Sequence, residues 1–505
     1  MEPMNRGVGG VQSRAVFAVA LVAALASQAL AQLGLQARID AAAARIPLGP
    51  TSIGVCVVDV QTGELLAGIE PDRALIPASN MKLLTSGAAL LALGEEFTFR
   101  TEILHERAAD RDRLIIVGSG DPALGDPVLL DQGTPAMDVH GLLVRIGSAV
   151  AKRGVRSVDE IVLDDRVFDH EFAHPSWPAD QLNRWYCAEV SGLNFHTNVL
   201  TVYAQAQRNE PPVVTLEPPA PWVEFENRAS SIVRGQSTAW VSRPRPENTF
   251  TLHGKVRSNN AVRVAIHDPT AFTGKVIRDA MSSAGVNAKT ATMRPAGSDE
   301  EFEGATPLVA VTTTLADVLR RCNADSHNLY AEAMLKRVGH EVTGEPGSWL
   351  NGGAVLRMLV AERIGSDHAT QIEIADGSGL SRDNRVRPDT LALWVASVAR
   401  EPEVGDAFVA SMPRPGEGTL RSRFSESELR HEVRAKSGYL RGVYALSGVL
   451  VDPETGAPEI AFAILLNDVP EGSTARKAKP FHEAVVEQID AWLAERRTPE
   501  PTMGG

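Results

Sequence analysis

Cysteine is scarce in this chain of 505 residues: there are three, Cys56, Cys187 and Cys322. They lie far apart, without metal-ligand spacing, and an odd count leaves at least one thiol unpaired within a chain. A disulfide framework and a structural zinc site are therefore not expected, and buried free thiols are. Aromatic residues are also few, at 5%, and basic residues fall short of acidic ones, 50 against 63, for a formal net charge of -13. That balance disfavours a nucleic-acid partner, which requires a basic face. Long hydrophobic runs are missing except at the N-terminus. There Arg6 and Arg14 precede "AVFAVALVAALASQALAQ", which contains the small-x-small site Ala29-Leu30-Ala31. The run is slightly short for a bilayer span and reads as a secretory signal, residues 1–31, cleaved after Ala31. Export to a periplasm is the expectation, with peripheral membrane contact left open and the oligomeric state not determined.

What is present is ordinary for a globular protein, with 44% apolar and 22% charged residues. The length is about three times that of a usual single domain, enough for two or three domains with a large core. "TSIGVCVVDVQTGELLAGIEP" alternates apolar residues about the turn Gln61-Thr62-Gly63 and predicts a hairpin. Near the other end, "VYALSGVLVD" and "EIAFAILLND" flank a Pro-Gly turn and predict a second hairpin of long apolar strands. "AKPFHEAVVEQIDAWLAE" then predicts an amphipathic helix with Val485, Ile489, Trp492 and Leu493 on one face. The middle differs. Strand-and-turn units occur at "RDRLIIVGSGDPAL" and "RSVDEIVLDDRVF", a helix at "DVHGLLVRIGSAVAKRG", a β-rich module near 200–268, and a helix at "TAFTGKVIRDAMSSAG". Residues 96–304 are thus expected as inserted material, one or two smaller domains, in a catalytic domain made of 32–95 and 305–497. The tail 498–505 is expected to be disordered.

"PASNMKLLTSGAALLALG" places Ser79 and Lys82 three apart at the start of a helical pattern that stops at Gly94. Residues three apart on a helix share a face. A serine hydroxyl needs a base within hydrogen-bonding reach, and a desolvated lysine beside other cations loses enough pKa to serve. Alone, that spacing is common by chance. Two further segments change its weight: Ser326-His327-Asn328 before a helical run, and Lys436-Ser437-Gly438 at the opening of a strand.

In this order the three segments resemble S-x-x-K, S-x-N and K-[TS]-G of the serine DD-peptidases and penicillin-binding proteins. Almost half the chain separates Ser79 from Ser326. That interval is similar to the D-alanyl-D-alanine carboxypeptidase/endopeptidase family, the class C low-molecular-mass penicillin-binding proteins. "GSGDPAL", "DDRVF", "DGSGLSRDN" and "GTLRSRF" add to the resemblance. Departures are Ser119 within Gly118–Pro122, Ser437 for a usual threonine, and Tyr439 where relatives often have threonine.

The resemblance implies an α/β (α+β) fold of the serine β-lactamase/DD-peptidase type, an antiparallel sheet flanked by helices, with the large insertion. It implies that Ser79 attacks the D-Ala-D-Ala carbonyl and becomes acylated, with Lys82 the favoured, disputed base. Ser326 would relay a proton to the leaving amine and Asn328 would hold the substrate amide and Lys82. Lys436 and Ser437 would meet the terminal carboxylate, and the amides of Ser79 and Tyr439, next to Gly438, would bind the oxyanion. Asp164 would contact a free amino group of the stem peptide or be a solvated turn residue. Asp121, Asp376 and Arg421 are read first as structural, His327 as a neighbour, and Trp177, Trp185 and Tyr186 as wall or packing residues. Peptidoglycan peptides ending in D-Ala-D-Ala would be the substrate, and β-lactams covalent inhibitors. No cofactor or metal is called for. A β-lactamase or esterase on the same fold, and a catalytically silent wall-binding protein, are the alternatives.

Overall fold

The computed structural model describes residues 34–107, 111–244 and 246–497. The expected signal at 1–31, its cleavage site and the tail 498–505 lie outside the described residues.

The two apolar hairpins come from opposite ends of the chain and merge into one five-stranded antiparallel sheet. Its order is Glu432–Leu440, Val443–Val451, Pro458–Asn467, Ser52–Asp59 and Leu65–Ile69. Ser52 opposes Asn467 and Asp59 opposes Ile460, so the first strand lies beside the last. The nearly unbroken apolar composition of these strands follows from burial on both faces. Val55, Val57, Phe462 and Ile464 pack into a core completed by Leu35 and Ile39 of the helix 34–45 and by Phe481 and Ile489 of the terminal helix Ala475–Arg497. The alternate residues, Cys56, Val58, Ala461 and Ala463, pack into a larger core on the other side. Helices Met81–Leu93, Leu315–Asn323, Asn328–Thr343 and Pro388–Ala399 fill that side.

The intervening chain builds a second sheet around its own core. The order is Thr292–Pro295, Glu160–Asp164, Asp112–Val117, Thr98–Arg107 and Thr306–Thr314. Helices Val139–Lys152 and Pro269–Ser283 cover it through Leu142, Ile146, Phe272 and Val276. Three further strands, Asn259–Ala265, Val199–Gln207 and Glu210–Glu217, form the β-rich part. Thr98 pairs with Thr314, so the chain leaves and re-enters at adjacent positions. Close ends are what allow a large insertion without disturbing the host. This sheet extends to Thr314, past residue 304 where the sequence placed the end of the insertion. The threonine-rich strand 306–314 carries little apolar signal because one face is exposed. No helix among the described residues is long and apolar enough to cross a membrane.

Candidate active site

Ala78–Asn80 form a tight 3-10 turn that runs directly into the helix Met81–Leu93. Ser79 therefore precedes the first α-helical turn instead of lying in it. The turn is tied to the central sheet through a completely buried asparagine: Asn80 Nδ2 donates to the Lys436 carbonyl at 2.7 Å, and Ser447 Oγ donates to Asn80 Oδ1 at 2.8 Å. Sequence reasoning passed over Asn80, a middle residue of the first motif whose partners lie in distant strands. Gly438 completes the approach, since a Cβ there would stand 3.1 Å from both Ser79 N and the Pro77 carbonyl.

One turn after Ser79, Lys82 is fully buried. Its Nζ lies 3.3 Å from Ser79 Oγ and 2.7 Å from both Asn328 Oδ1 and the Ser378 carbonyl. Asn328 is fixed in this sense because its Nδ2 donates to the Tyr186 carbonyl at 2.8 Å, and a carbonyl only accepts. Burial pushes Lys82 below the usual lysine range, against the opposing pull of Cys322, Glu332 and Asp376. Its Nζ thus faces two close acceptors and one more distant hydroxyl.

Ser326 adopts a left-handed φ of 60° immediately before the helix Asn328–Thr343. Lys436 Nζ donates to Ser326 Oγ at 2.9 Å and to the Ser437 carbonyl at 2.5 Å. Burial first, and the neighbouring Lys82 second, push Lys436 well below the usual lysine range. The third motif lies in the second half of the strand Glu432–Leu440 and does not open it. Val433 and Ala435 extend the strand backwards by filling the core beneath.

The segment Asp376–Ser381 closes the site from a third direction. Buried Glu332 accepts from the amides of Gly377 and Ser378 at 2.8 and 2.9 Å and from Trp349 Nε1 at 2.8 Å. That aims the Ser378 carbonyl at Lys82. Burial, followed by the nearby Asp376, raises Glu332 to about 7. Asp376 accepts from the amides of Gly379 and Ser381 at 2.8 and 2.6 Å and from Trp177 Nε1 at 2.9 Å. Gly379 has φ 79°, and a Cβ there would fall 1.8 Å from the Ala78 carbonyl. No other residue fits this contact with the serine turn.

Ser79, Ser326 and Asn328 open into a cavity of ≈ 490 Å³, walled by Trp185, Tyr186, Leu380 and Leu440, with Arg382 and Arg441 adding charge. Lys82 and Lys436 lie beneath its floor. Tyr439 lines it and is 64% exposed, its ring 5.1 Å from that of Tyr444, while half-buried Ser437 and buried Gly438 precede it in the strand. Trp177 is buried on Asp376 instead of lining the wall. His327 is also buried, packed on the rings of Trp185 and Tyr330, and burial depresses it to about 3, which keeps it neutral. The three cysteines are buried, and burial raises Cys322 to about 12.

Asp164 is not brought into this cavity. It ends the strand Glu160–Asp164, where Arg166 Nε and a terminal Arg166 nitrogen each donate to its carboxylate at 2.8 Å. There the carboxylate is engaged by a bidentate arginine.

Comparison with known proteins gives a consistent result. A family model described as the D-Ala-D-Ala carboxypeptidase 3 (S13) family matches residues 35–493. A D-alanyl-D-alanine carboxypeptidase of an Actinomadura species is 33% identical over 438 residues, 82% of this chain and 77% of that one. A D-alanyl-D-alanine carboxypeptidase of Haemophilus influenzae is 23% identical over 458 residues, 86% of this chain and 89% of that one. The crystal structure of penicillin binding protein 4 from Haemophilus influenzae has a TM-score of 0.70 at 22% identity, covering 91% of this chain and 98% of that one. That protein complexed with a β-lactam has a TM-score of 0.67 at 21% identity over the same shares. The likeness shows a common fold, a mixed α/β architecture with an antiparallel sheet between helices. With the family match running from the first described helix to the last, the chain belongs to the D-Ala-D-Ala carboxypeptidase 3 (S13) family of serine peptidases.

Proposed function

We propose that the chain is a serine D-alanyl-D-alanine carboxypeptidase that cleaves peptidoglycan stem peptides, or the equivalent bond in crosslinks, through an acyl-enzyme on Ser79. One observation carries the reading: Lys82 Nζ contacts both Ser79 Oγ and Asn328 Oδ1, while Lys436 contacts Ser326, so side-chain contacts link all three segments around one cavity. Neutral Lys82 takes the proton as Ser79 Oγ bonds to the penultimate D-Ala carbonyl carbon. Amides of Ser79 and Tyr439 receive the oxyanion. The carbon–nitrogen bond to the terminal D-alanine then breaks, with Ser326 relaying to the leaving amine the proton that Lys82 took from Ser79. The terminal carboxylate bonds to Ser437 and restores the charge that burial takes from Lys436. Water hydrolyses the ester and releases the shortened peptide.

A β-lactam acylates the same serine because its amide is attacked by the same machinery. The N-terminal signal supports action outside the cytoplasmic membrane, in the periplasm. Ser79→Ala is expected to abolish D-alanine release from a peptide ending in D-Ala-D-Ala, and labelling by a fluorescent penicillin, with thermal unfolding unchanged. Release retained by this variant would move the nucleophile elsewhere.

A further inference from the structure

The second motif lies in the short connection 324–327 between the helices Leu315–Asn323 and Asn328–Thr343. Ser326, whose Oγ accepts from Lys436, has the left-handed φ of 60° that a residue with a Cβ adopts only where its surroundings impose it. One side-chain contact does not set a backbone angle. The restraint comes from the residues just before Ser326.

Arg321, buried in the last turn of the first helix, faces two carboxylates at once. Its Nε and one terminal nitrogen donate to Asp126 at 2.9 and 2.7 Å, and its other terminal nitrogen donates to Asp325 at 2.7 Å. Asp126 belongs to the insertion and is completely buried. One of its oxygens accepts from the Val128 amide at 2.8 Å, capping the helix Pro127–Gln132, and the other accepts from the Tyr330 hydroxyl at 2.5 Å. A guanidinium is planar, so an edge held on Asp126 fixes the direction of the remaining N–H. That N–H holds Asp325, the residue before Ser326 and, like it, part of the catalytic cavity's lining. From the opposite side, the Thr419 amide donates to the Ala324 carbonyl at 2.9 Å. Gly418, at φ 44°, permits that approach, since a Cβ there would stand 2.3 Å from the same carbonyl. An exposed Arg–Asp pair four apart contributes little. Here the arginine is buried and anchored on a second carboxylate from a distant part of the chain, which turns the pair into a fixed support for the backbone at Ser326.

We propose that Arg321 and Asp325 are positioning residues for the proton relay: through them the insertion holds Ser326 in the conformation that delivers a proton to the leaving amine. The inference rests on the peptidase reading. Neither residue gives or takes a proton; both act through the backbone of Ser326. An amine needs a proton as its carbon–nitrogen bond breaks, whereas a thiolate leaves without one. Misplacing Ser326 therefore harms an amide substrate more than a thioester carrying the same acyl group.

The test compares kcat/KM for an acyl-D-Ala-D-Ala peptide and for the thioester in which D-thiolactate replaces the last residue. In Asp325→Ala, a change at a half-exposed side chain, the amide value is expected to fall about 10²-fold, the effect of displacing a reacting group by about 1 Å, and the thioester value much less. Asp325→Asn keeps an oxygen that accepts from Arg321 and should restore most of the amide value. Arg321→Lys, which cannot span both carboxylates, should repeat the pattern of Asp325→Ala. The ratio of the two substrates is internal to each protein, so a loss of folded enzyme cannot change it. An equal fall on both substrates, a native ratio in Asp325→Ala and Arg321→Lys, or an Asp325→Asn enzyme as impaired as Asp325→Ala overturns the positioning role while leaving the peptidase reading intact. A native enzyme that releases D-alanine from no peptide overturns both.

Discussion

At the scale of single residues, the chemistry depends on a lysine that the fold keeps dry. Lys82 and Lys436 are both fully buried; burial pushes both below the usual lysine range, and Lys82 lowers Lys436 further, which favours the free amine that an exposed lysine would not offer. Lys82→Ala is expected to lower the rate of penicillin acylation by about 10²- to 10⁴-fold, the range of a lost general base, measured by stopped-flow with a chromogenic β-lactam. The rising limb of kcat/KM against pH in the native enzyme should lie below the usual lysine range, because the neutral form is the active one. A limb at the ordinary lysine position, or a near-normal rate in Lys82→Ala, would remove Lys82 from this role. Ser79, Lys82, Ser326, Asn328 and Lys436 were legible in the sequence because each lies in a short motif whose chemistry requires it. Asn80 and Glu332 were not, since their work is to bond backbone groups of strands and loops remote in sequence. The pairing of Asp164 with Arg166, two residues on, was not read from the sequence.

At the scale of elements, the position of Ser79 depends on three backbones passing within contact distance. The turn Ala78–Asn80 is bracketed by the strand Glu432–Leu440 through Asn80 and Gly438, and by the segment Asp376–Ser381 through Gly379. Gly379→Ala places a methyl group against the Ala78 carbonyl at a positive φ, so either the loop or the serine turn must move. Strain of this kind costs on the order of 1–3 kcal/mol. Calorimetry should show a lowered Tm, and acylation should fall by more than the loss of folded protein explains, because Ser79 is displaced. A variant with native acylation and native Tm would show that the contact is not needed. The two hairpins were readable from alternation and turn residues because each strand is long and the apolar periodicity is local. Strand order was not, because Ser52–Asp59 pairs with Pro458–Asn467 across almost the whole chain.

For the whole molecule, the insertion and the host sheet meet at the site itself: Tyr186 belongs to the intervening chain, and its carbonyl orients Asn328. Stability of the complete fold also carries a pH signature. His482 of the terminal helix is buried, has no hydrogen-bond partner on either ring nitrogen among the described residues, and is pushed well below the usual histidine range by burial, then by Arg423 and Lys479. The folded state keeps it neutral while the unfolded chain takes up a proton near pH 6.5, so stability falls as pH drops below that value. By pH 5 the loss from one such histidine is roughly 2 kcal/mol. Asp121 and Glu332, raised to about 6 and about 7, act in the opposite direction, so the clean comparison is with a variant. His482→Leu is expected to hold more of its stability than the native protein between pH 6.5 and 5 in urea unfolding. Parallel curves would assign the acid sensitivity to other groups.

The assignment of Ser79 as the nucleophile of the cavity where the three distant segments meet is tested most directly by mapping the covalent adduct formed with benzylpenicillin. Peptide mass spectrometry of the acylated protein is expected to find a single adduct, on the peptide that contains Ser79. Acylation of Ser326 or any other residue, or no adduct at all, would contradict the account.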